Sequence, residues 1–500
     1  MNDPSSKVWT GYLAALAVAR SALGWIYPGF LTGDDVEILQ EGLRRVSDLS
    51  YVPWSIRNTI VSDVLVAPAL WIGRAIGIGD PWNLCWFASL PFTAASIASV
   101  ELLRRIVSRL ASSDRTGLLA AGVYSLHWIP FGYAGTVYPR TAATTAVLFA
   151  AWLLVRRPSG ISCFAAGLLS ALAFAFRYSE CLYLLPLTAL LAHRLRPEAD
   201  VPRLLRSLAA LATGFAAGAL LFVGFYEWLT AGSWFASLSA FADYTLVERQ
   251  ASSLVREQAW FWYLWRSPRW LDPLALGLLG YGLWRGRLRE LLPFVVLPLL
   301  VLSTIHHKDL RYLQGVIPFS SALVASGAEV LCRRRGKALA ALLLLPSLLF
   351  SLAQLRFLEK KSMAAVAAAR AIAGDPGVRS VAAPQLWAFG DRIVFAPGTE
   401  LRQISHPLQP GTLEREIGSA DRVAIYASSL AAGPGARDVL DRLGYCEAER
   451  FEAGRSEAVV LFAPCRAGPS GAVEGTAQRP SGAIGKSSTW RRSSPAIETG

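Results

Sequence analysis

A chain of 500 residues that is 53% hydrophobic, with a mean hydropathy of +0.37, is too apolar throughout for a soluble multidomain protein. Its net charge of +13 would suggest nucleic acid in a soluble protein, but here the basic residues crowd short loops between apolar stretches. That arrangement is a topology signal and an attraction to anionic head groups, and it excludes a nucleic-acid partner. The six cysteines form no CxxC or Cys/His pattern, so no metal, redox centre or other cofactor is expected.

Taken in order, the apolar stretches are 9–27, 84–103, 117–131, 139–155, 161–176, 179–193, 207–230, 271–284, 288–305, 313–331 and 338–355. A helix of ~17–25 apolar residues spans the hydrocarbon core, and the shorter stretches need interfacial residues to complete a crossing. The stretch 60–79 carries Asp63, Pro68 and Arg74 and reads as a helix lying in the outer interface. Orientation supports that choice. The inner loops then hold Arg104, Arg105, Arg109, Arg115, Arg156, Arg157, Arg194, Arg196, Arg203, Arg206, Arg285, Arg287, Arg289, Arg333, Arg334, Arg335 and Lys337. Between residue 84 and Leu355 the outer loops hold only Arg140, Arg177, Arg249, Arg256, Arg266, Arg269, Lys308 and Arg311. Letting 60–79 cross would invert the excess, so the positive-inside rule gives eleven spans, an inner N-terminus and an outer C-terminal region. A signal-peptide reading of the first span, from Lys7 and Ala17-Val18-Ala19, leaves everything downstream oriented as before.

Beyond Leu355 the composition shifts. Segments 392–396, 423–427 and 458–462 read as short buried strands and 436–443 as a helix, which makes a small α/β domain over 359–466. Residues 467–500, rich in Ser, Gly, Pro and Arg, read as a disordered tail. Cys446 and Cys465 both fall on the outer side, where a disulfide and free thiols fit equally. The fold class is an all-α polytopic membrane protein of about 11 transmembrane helices, residues 1–358, with a small extracytoplasmic α/β domain behind it.

Chemistry is to be sought where charge meets the outer face. The first external loop, 28–83, opens with Thr32-Gly33-Asp34-Asp35-Val36-Glu37, and Glu41 follows. A positioned carboxylate is the usual general base for an alcohol nucleophile. Equally, Thr32 as an N-cap would make the two aspartates ordinary first-turn acids favoured by the helix dipole. Arg20 lies inside the first span, where it either pairs with Asp34 or Asp35 or snorkels to the outer interface. Span five ends at Phe176-Arg177-Tyr178-Ser179-Glu180, and span nine at His306-His307-Lys308-Asp309-Leu310-Arg311-Tyr312. Cations placed there suit the phosphate of a lipid carrier, with head-group anchoring as the competing explanation. The two histidines lack a third ligand, so no metal is expected. Loop 231–270 carries Trp234, Tyr244, Trp260, Trp262, Tyr263, Trp265 and Trp270, which serve an interfacial belt or stack on sugar rings. Asp243 and Glu248 lie in the same loop.

On these residues the chain resembles the integral-membrane mannosyltransferases that use polyprenyl- or dolichyl-phosphate mannose, enzymes of the GT-C fold grouped as glycosyltransferase family 22. Arg20 followed by Gly33-Asp34-Asp35-Val36-Glu37 is similar to that family's Arg and His-Pro-Asp-Glu. Trp54-Ser55-Ile56-Arg57-Asn58 resembles its Trp…Ile-Arg-Ser, and Arg140-Thr141 its Arg-Thr. Phe176-Arg177-Tyr178-Ser179 resembles its Arg-Pro-Thr turn, Trp260-Phe261-Trp262-Tyr263 its Trp-His-Trp-Tyr, and His307-Lys308-Asp309-Leu310-Arg311-Tyr312 its His-Lys-Glu-Glu-Arg-Phe. The chain departs from the family at Gly33-Asp34, at Thr144 and at Val147, where acceptor and sugar contacts would lie. The resemblance implies a catalytic base at Asp35 or Asp34 and a donor phosphate held by Arg177, His307, Lys308 and Arg311. Supporting or sugar contacts would come from Arg20, Glu37, Arg57, Arg140, Trp260 and Trp262.

The function expected is a multi-pass membrane glycosyltransferase, in a bacterial inner membrane, with its site facing the periplasm. It moves a sugar, mannose first, from a polyprenyl-phosphate donor to a hydroxyl of a glycan, lipid or protein acceptor, with inversion. The alternatives are a GT-C enzyme using arabinose or glucose, and a lipid-sugar flippase or transporter, which would place its charges near the midplane. A topology reporter tests the frame. Alkaline phosphatase fused after residue 466 is expected to be active, and the same enzyme fused at Arg196 inactive; the opposite pair would invert every placement above.

Overall fold

The computed structural model describes residues 4–47, 56–196, 201–247, 258–305, 308–335, 337–452 and 457–465. Helices occupy all eleven apolar stretches. The first, α1 (Pro4–Ile26), has 23 residues, about 34 Å at 1.5 Å per residue. After it comes α2 (Gly33–Val46), which Thr32 caps by accepting the Asp35 N–H. A π turn (Ser62–Val66) leads into α3 (Ala67–Ala75), so the 60–79 segment is helical and packs against α2 and α4 (Pro81–Ala111). The bundle continues through α5 (Asp114–Leu126), α6 (Trp128–Gly132), α7 (Pro139–Arg156), α8 (Gly160–Phe176) and α9 (Leu184–Leu195). Next, α10 (Val201–Ala219) runs through a π turn (Leu220–Phe225) into α11 (Tyr226–Ala231). Later helices are α12 (Ala236–Ala242), α13 (Pro273–Arg285), α14 (Pro293–Thr304), α15 (Ile317–Arg335), α16 (Lys337–Gln354) and α17 (Arg356–Ala373). Among the described residues, Pro81–Ala111 and Val201–Ala231 are long and apolar enough to cross a membrane unaided.

Helices approach most closely where glycines remove the side chain. A Cβ on Gly167 would stand 2.2 Å from the Leu211 carbonyl oxygen, and one on Gly214 would stand 2.1 Å from that of Phe164. Both obstacles are backbone, so α8 and α10 meet at a distance that only glycine permits, the small-residue contact typical of apolar helix pairs.

Behind the helices lies a five-stranded sheet of order β2-β1-β3-β5-β4. Its strands are β1 (Ser380–Pro384), β2 (Glu400–Ile404), β3 (Arg422–Tyr426), β4 (Tyr445–Phe451) and β5 (Val459–Pro464). β1 runs parallel to β2 and β3, while β5 is antiparallel to β3 and β4. Side chains alternate between faces. Val381, Ala383, Ala424, Val459 and Leu461 share a core with α2, α3 and α17, whereas Ala382, Val423, Ile425, Val460 and Phe462 pack beneath the helices Pro410–Ile417 and Ala436–Arg442. Cys446 and Cys465 are disulfide-bonded.

One expected strand is corrected. Within 392–396, residues up to Val394 belong to a helical turn, Asp391–Val394, entered through Gly390 at φ +91° and Asp391 at φ 44°. Left-handed backbone at two successive residues breaks an extended run, and the apolar Ile393 and Val394 then pack on the α2 layer.

The α8–α10 contact gives a stability prediction. Gly214→Ala is expected to cost about 1–3 kcal/mol through overpacking and to lower the unfolding temperature of detergent-solubilised protein by several degrees. Gly277→Ala, with nothing within 4 Å of the added methyl, is expected to leave it unchanged. Equal melting of both variants would contradict the close packing.

Candidate active site

The N-terminus of α2 meets residues from 56–61, 139–140, 175–179, 241–245, 302–305 and 311–312 at a cavity of about 290 Å3. Its charged lining is one carboxylate, Asp34, and four guanidiniums, Arg57, Arg140, Arg177 and Arg311. Ile38, Ile56, Val61, Phe176, Phe241 and Leu302 supply apolar wall. An anion with a hydrocarbon tail fits such a lining: the cations exceed the acid, and the remaining surface is oily.

Arg57 ion-pairs with Asp34 Oδ1 and stands 3.5 Å from Glu37, while Arg177 reaches Asp34 Oδ2 at 3.4 Å. Burial opposes ionisation of Asp34, but the Arg57 and Arg177 guanidiniums outweigh it and hold the carboxyl well below the usual carboxylate range. Asp35 behaves differently. It is 1% exposed against 8% for Asp34, accepts from the Leu31 N–H at 3.2 Å and from Thr32 Oγ1 at 2.7 Å, and does not line the cavity. Burial, aided by the Asp34 charge and opposed by the Thr32 hydrogen bond, pushes its carboxyl up to about 7.

The other two arginines are fixed by their surroundings. Arg140 pairs with buried Glu180, donates to Ser179 Oγ at 3.0 Å and lies 4.8 Å from the centre of the Tyr312 ring. Arg311 pairs with Asp309 at 3.3 Å, and its carbonyl accepts from Tyr138 Oη at 3.3 Å. Burial lowers the basicity of Arg311, but Asp309 and Asp34 more than reverse that.

Other expected site residues are placed elsewhere. Arg20 reaches neither aspartate. It is fully buried, donates to Ser96 Oγ and, at 2.9 Å, to the Ser125 carbonyl, and lies 5.4 Å from the Phe131 ring centre. That carbonyl belongs to the last turn of α5, where unsatisfied C=O groups and the negative end of the helix dipole attract a cation. Lys308 donates to the carbonyls of Gln258 (3.2 Å) and Ile305 and does not line the cavity. Trp260 is 68% exposed, Trp262 packs beneath Arg266, and neither lines the cavity. His307, Trp54, Ser55 and Glu248 lie outside the described residues.

Sequence reasoning left Glu180, Phe241 and Tyr312 without a role and named Tyr244 only among loop aromatics, yet all but buried Glu180 line the cavity. Glu180 stood in the quoted turn after span five. Its signal was a carboxylate three residues beyond Arg177 in an otherwise apolar setting. Among the described residues no group of three or more His, Cys, Asp or Glu could hold a metal ion.

A family model described as Alg9-like mannosyltransferase matches residues 54–372. No curated protein matches at a significant level. Among solved structures, the chain is similar to ArnT from Cupriavidus metallidurans bound to undecaprenyl phosphate, with a TM-score of 0.60 at 11% identity over 92% of this chain and 99% of that one. The apo ArnT structure gives 0.59 at 13% identity, over 93% and 100%. At such identities the TM-scores show a shared fold alone, the GT-C fold.

Asp35 gives a pH prediction with a definite sign. A carboxyl raised from 3.8 to about 7 binds its proton more tightly in the folded protein. Its stabilising contribution is therefore complete below about pH 4 and lost as pH rises toward 7, at up to about 1.4 kcal/mol per pH unit. Asp34, shifted the opposite way, acts only below that window. The wild-type unfolding temperature is expected to fall between pH 5 and pH 7, and Asp35→Asn to flatten the slope. An unchanged slope in Asp35→Asn would contradict the assignment.

Proposed function

The chain belongs to the Alg9-like mannosyltransferase family, and from that premise we propose that it transfers mannose from a polyprenyl-phosphate carrier to an acceptor hydroxyl at the cavity beside α2. It is an integral-membrane glycosyltransferase of the GT-C fold; the mannose donor, the membrane side and the mechanism are part of what we propose. The observation that carries it is that Asp34 shares one cavity with Arg57, Arg140, Arg177 and Arg311.

The donor already carries a good leaving group, a lipid phosphate. The enzyme must position the anomeric carbon, remove a proton from the acceptor and stabilise the charge that grows on the departing phosphate. Arg177 and Arg311 are assigned to that phosphate, because two planar guanidiniums in one cavity suit bidentate oxygens. Asp34 is assigned as the base. In the free enzyme Arg57 and Arg177 make it a weak one. When the phosphate draws Arg177 toward itself, the carboxylate loses part of that compensation and gains basicity at the moment the donor is seated. The new bond forms from acceptor oxygen to anomeric carbon as the carbon–phosphate oxygen bond breaks. The proton passes to Asp34 and the electron pair leaves with the phosphate. A single base on the face opposite the leaving group gives inversion.

Asp35 supports α2 from beneath, and Lys308 fixes the turn that carries Arg311. Glu37 steadies Arg57, Arg140 forms the buried wall with Glu180, and the sheet domain over 359–466 braces α2. The positive-inside arrangement supports a site on the periplasmic face of a bacterial inner membrane. The acceptor is a glycan, lipid or protein hydroxyl.

Transfer of label from polyprenyl-phosphate mannose, with the glucose and arabinose donors alongside, tests the proposal in membranes carrying the protein. Mannose is expected to be consumed fastest. Asp34→Asn is expected to lower turnover at least 100-fold, the scale of a general base, and Asp35→Asn less than tenfold. Wild-type turnover in Asp34→Asn would overturn the base assignment, and no consumption of any lipid-linked sugar would overturn the transferase.

A further inference from the structure

Behind the cavity wall lies a buried carboxylate that the mechanism above does not use. Glu227, in the first turn of α11, is 3% exposed. It accepts from Asn58 Nδ2 at 3.1 Å, Tyr178 Oη at 2.9 Å, the Ser237 N–H at 3.0 Å and Ser237 Oγ. Among the described residues no Lys, Arg or His pairs with it. Its partners in this buried place are all neutral donors, four hydrogen bonds that hold the donors to one position.

The identity of two of the donors gives Glu227 its meaning. Asn58 directly follows Arg57, and Tyr178 directly follows Arg177. Those are the two arginines that grip Asp34 from opposite oxygens. One carboxylate thus ties together the chain neighbours of both, although the segments are more than a hundred residues apart. The π turn preceding α11 adds a second fastening. Asn58 Nδ2 also donates to the Phe222 carbonyl within that turn, at 3.1 Å. Tyr226 Oη meets Thr59 Oγ1 at 2.8 Å and bonds Asp63. Residues 58–63 are therefore clamped along 222–227, and π turns inside helices occur most often at functional sites.

We propose that Glu227 is a positioning residue for transfer, fixing the separation of Arg57 and Arg177 so that both reach Asp34 and Arg177 also reaches the donor phosphate in one geometry. The proposal rests on the reading of this cavity as the transfer site. Glu227 touches no reacting atom and acts through Asn58 and Tyr178. Glu227→Gln keeps its volume but sets an amide NH2 against donors: Oε1 accepts from Asn58, Tyr178 and Ser237 Oγ and Oε2 from the Ser237 N–H, so one of these two sets loses its acceptor. A displacement of about 1 Å in positioned groups costs on the order of 100-fold in rate.

The test is steady-state transfer by purified full-length protein, with rates expressed per folded molecule. Glu227→Gln is expected to lower kcat ten- to hundredfold while the KM for the lipid donor stays within threefold, and Glu227→Asp to recover part of the loss. Asn58→Ala with Tyr178→Phe should lower kcat similarly, and adding Glu227→Gln to that pair should change it less than twofold, since the path is already cut. A carboxylate that only stabilised the fold would reduce the yield of folded protein and leave kcat per folded molecule unchanged. That result, or full multiplication of the losses, overturns the proposal. Should Glu227→Gln fail to fold, Asn58→Ala and Tyr178→Phe decide alone, and wild-type kcat in both overturns it. Wild-type protein that consumes no lipid-linked sugar would sink the underlying transferase reading. Active wild type beside an equally active Gln variant would sink only the role of Glu227.

Discussion

An ionised carboxylate can be buried to 8% exposure only if cations come to it, and at Asp34 they come from remote parts of the chain. Arg57 follows α2, and Arg177 follows α8. Removing one partner of a buried ion pair typically costs about 3–5 kcal/mol, because the charge left behind has no solvent to turn to. The pairing therefore fixes where α2, residues 56–58 and residues 177–179 stand relative to one another. Arg311 and Arg140 complete a lining in which positive charge exceeds negative. That excess is what a lipid phosphate would neutralise.

The rest of the fold keeps α2 in place. Its polar N-terminus faces the cavity, while Val36, Leu39 and Leu43 are buried in a core that also contains Val66, Leu70 and the inner face of the sheet. A Cβ on Gly33 would meet the Trp387 indole at 3.7 Å, so the C-terminal layer reaches the residue directly before Asp34. Phe30 and Trp82 pack at 5.4 Å between ring centres under the same turn. Thr32 then does two jobs, capping the helix and hydrogen-bonding Asp35. Asp35 is thus the first-turn acid that an N-cap at Thr32 predicts, while Asp34 faces the cavity.

Much of this was legible in the chain because bilayer physics writes a coarse code. Apolar length predicted the helices, cations expected on the outer face without a topological reason marked Arg177 and Arg311, and the family resemblance marked Arg57 and Arg140. What was not legible depends on direction rather than type. Arg20 was expected beside the aspartates, but its side chain turns to a helix-end carbonyl of α5, a partner that has no side-chain signature. Lys308 sits three residues from Arg311 yet spends its ammonium on backbone carbonyls. The 392–396 run has strand composition, and only the left-handed backbone at Gly390 and Asp391 shows why it turns. Glu227 was hidden because its donors come from positions 58, 178 and 237, a convergence that periodicity cannot display.

The most direct measurement is a cryo-EM structure of the protein with polyprenyl phosphate bound. The phosphorus is expected within hydrogen-bonding reach of the Arg177 and Arg311 guanidiniums, with Asp34 facing it across the space that the sugar would fill. Density for the phosphate outside this cavity, with Asp34 still locked between Arg57 and Arg177, would contradict the account.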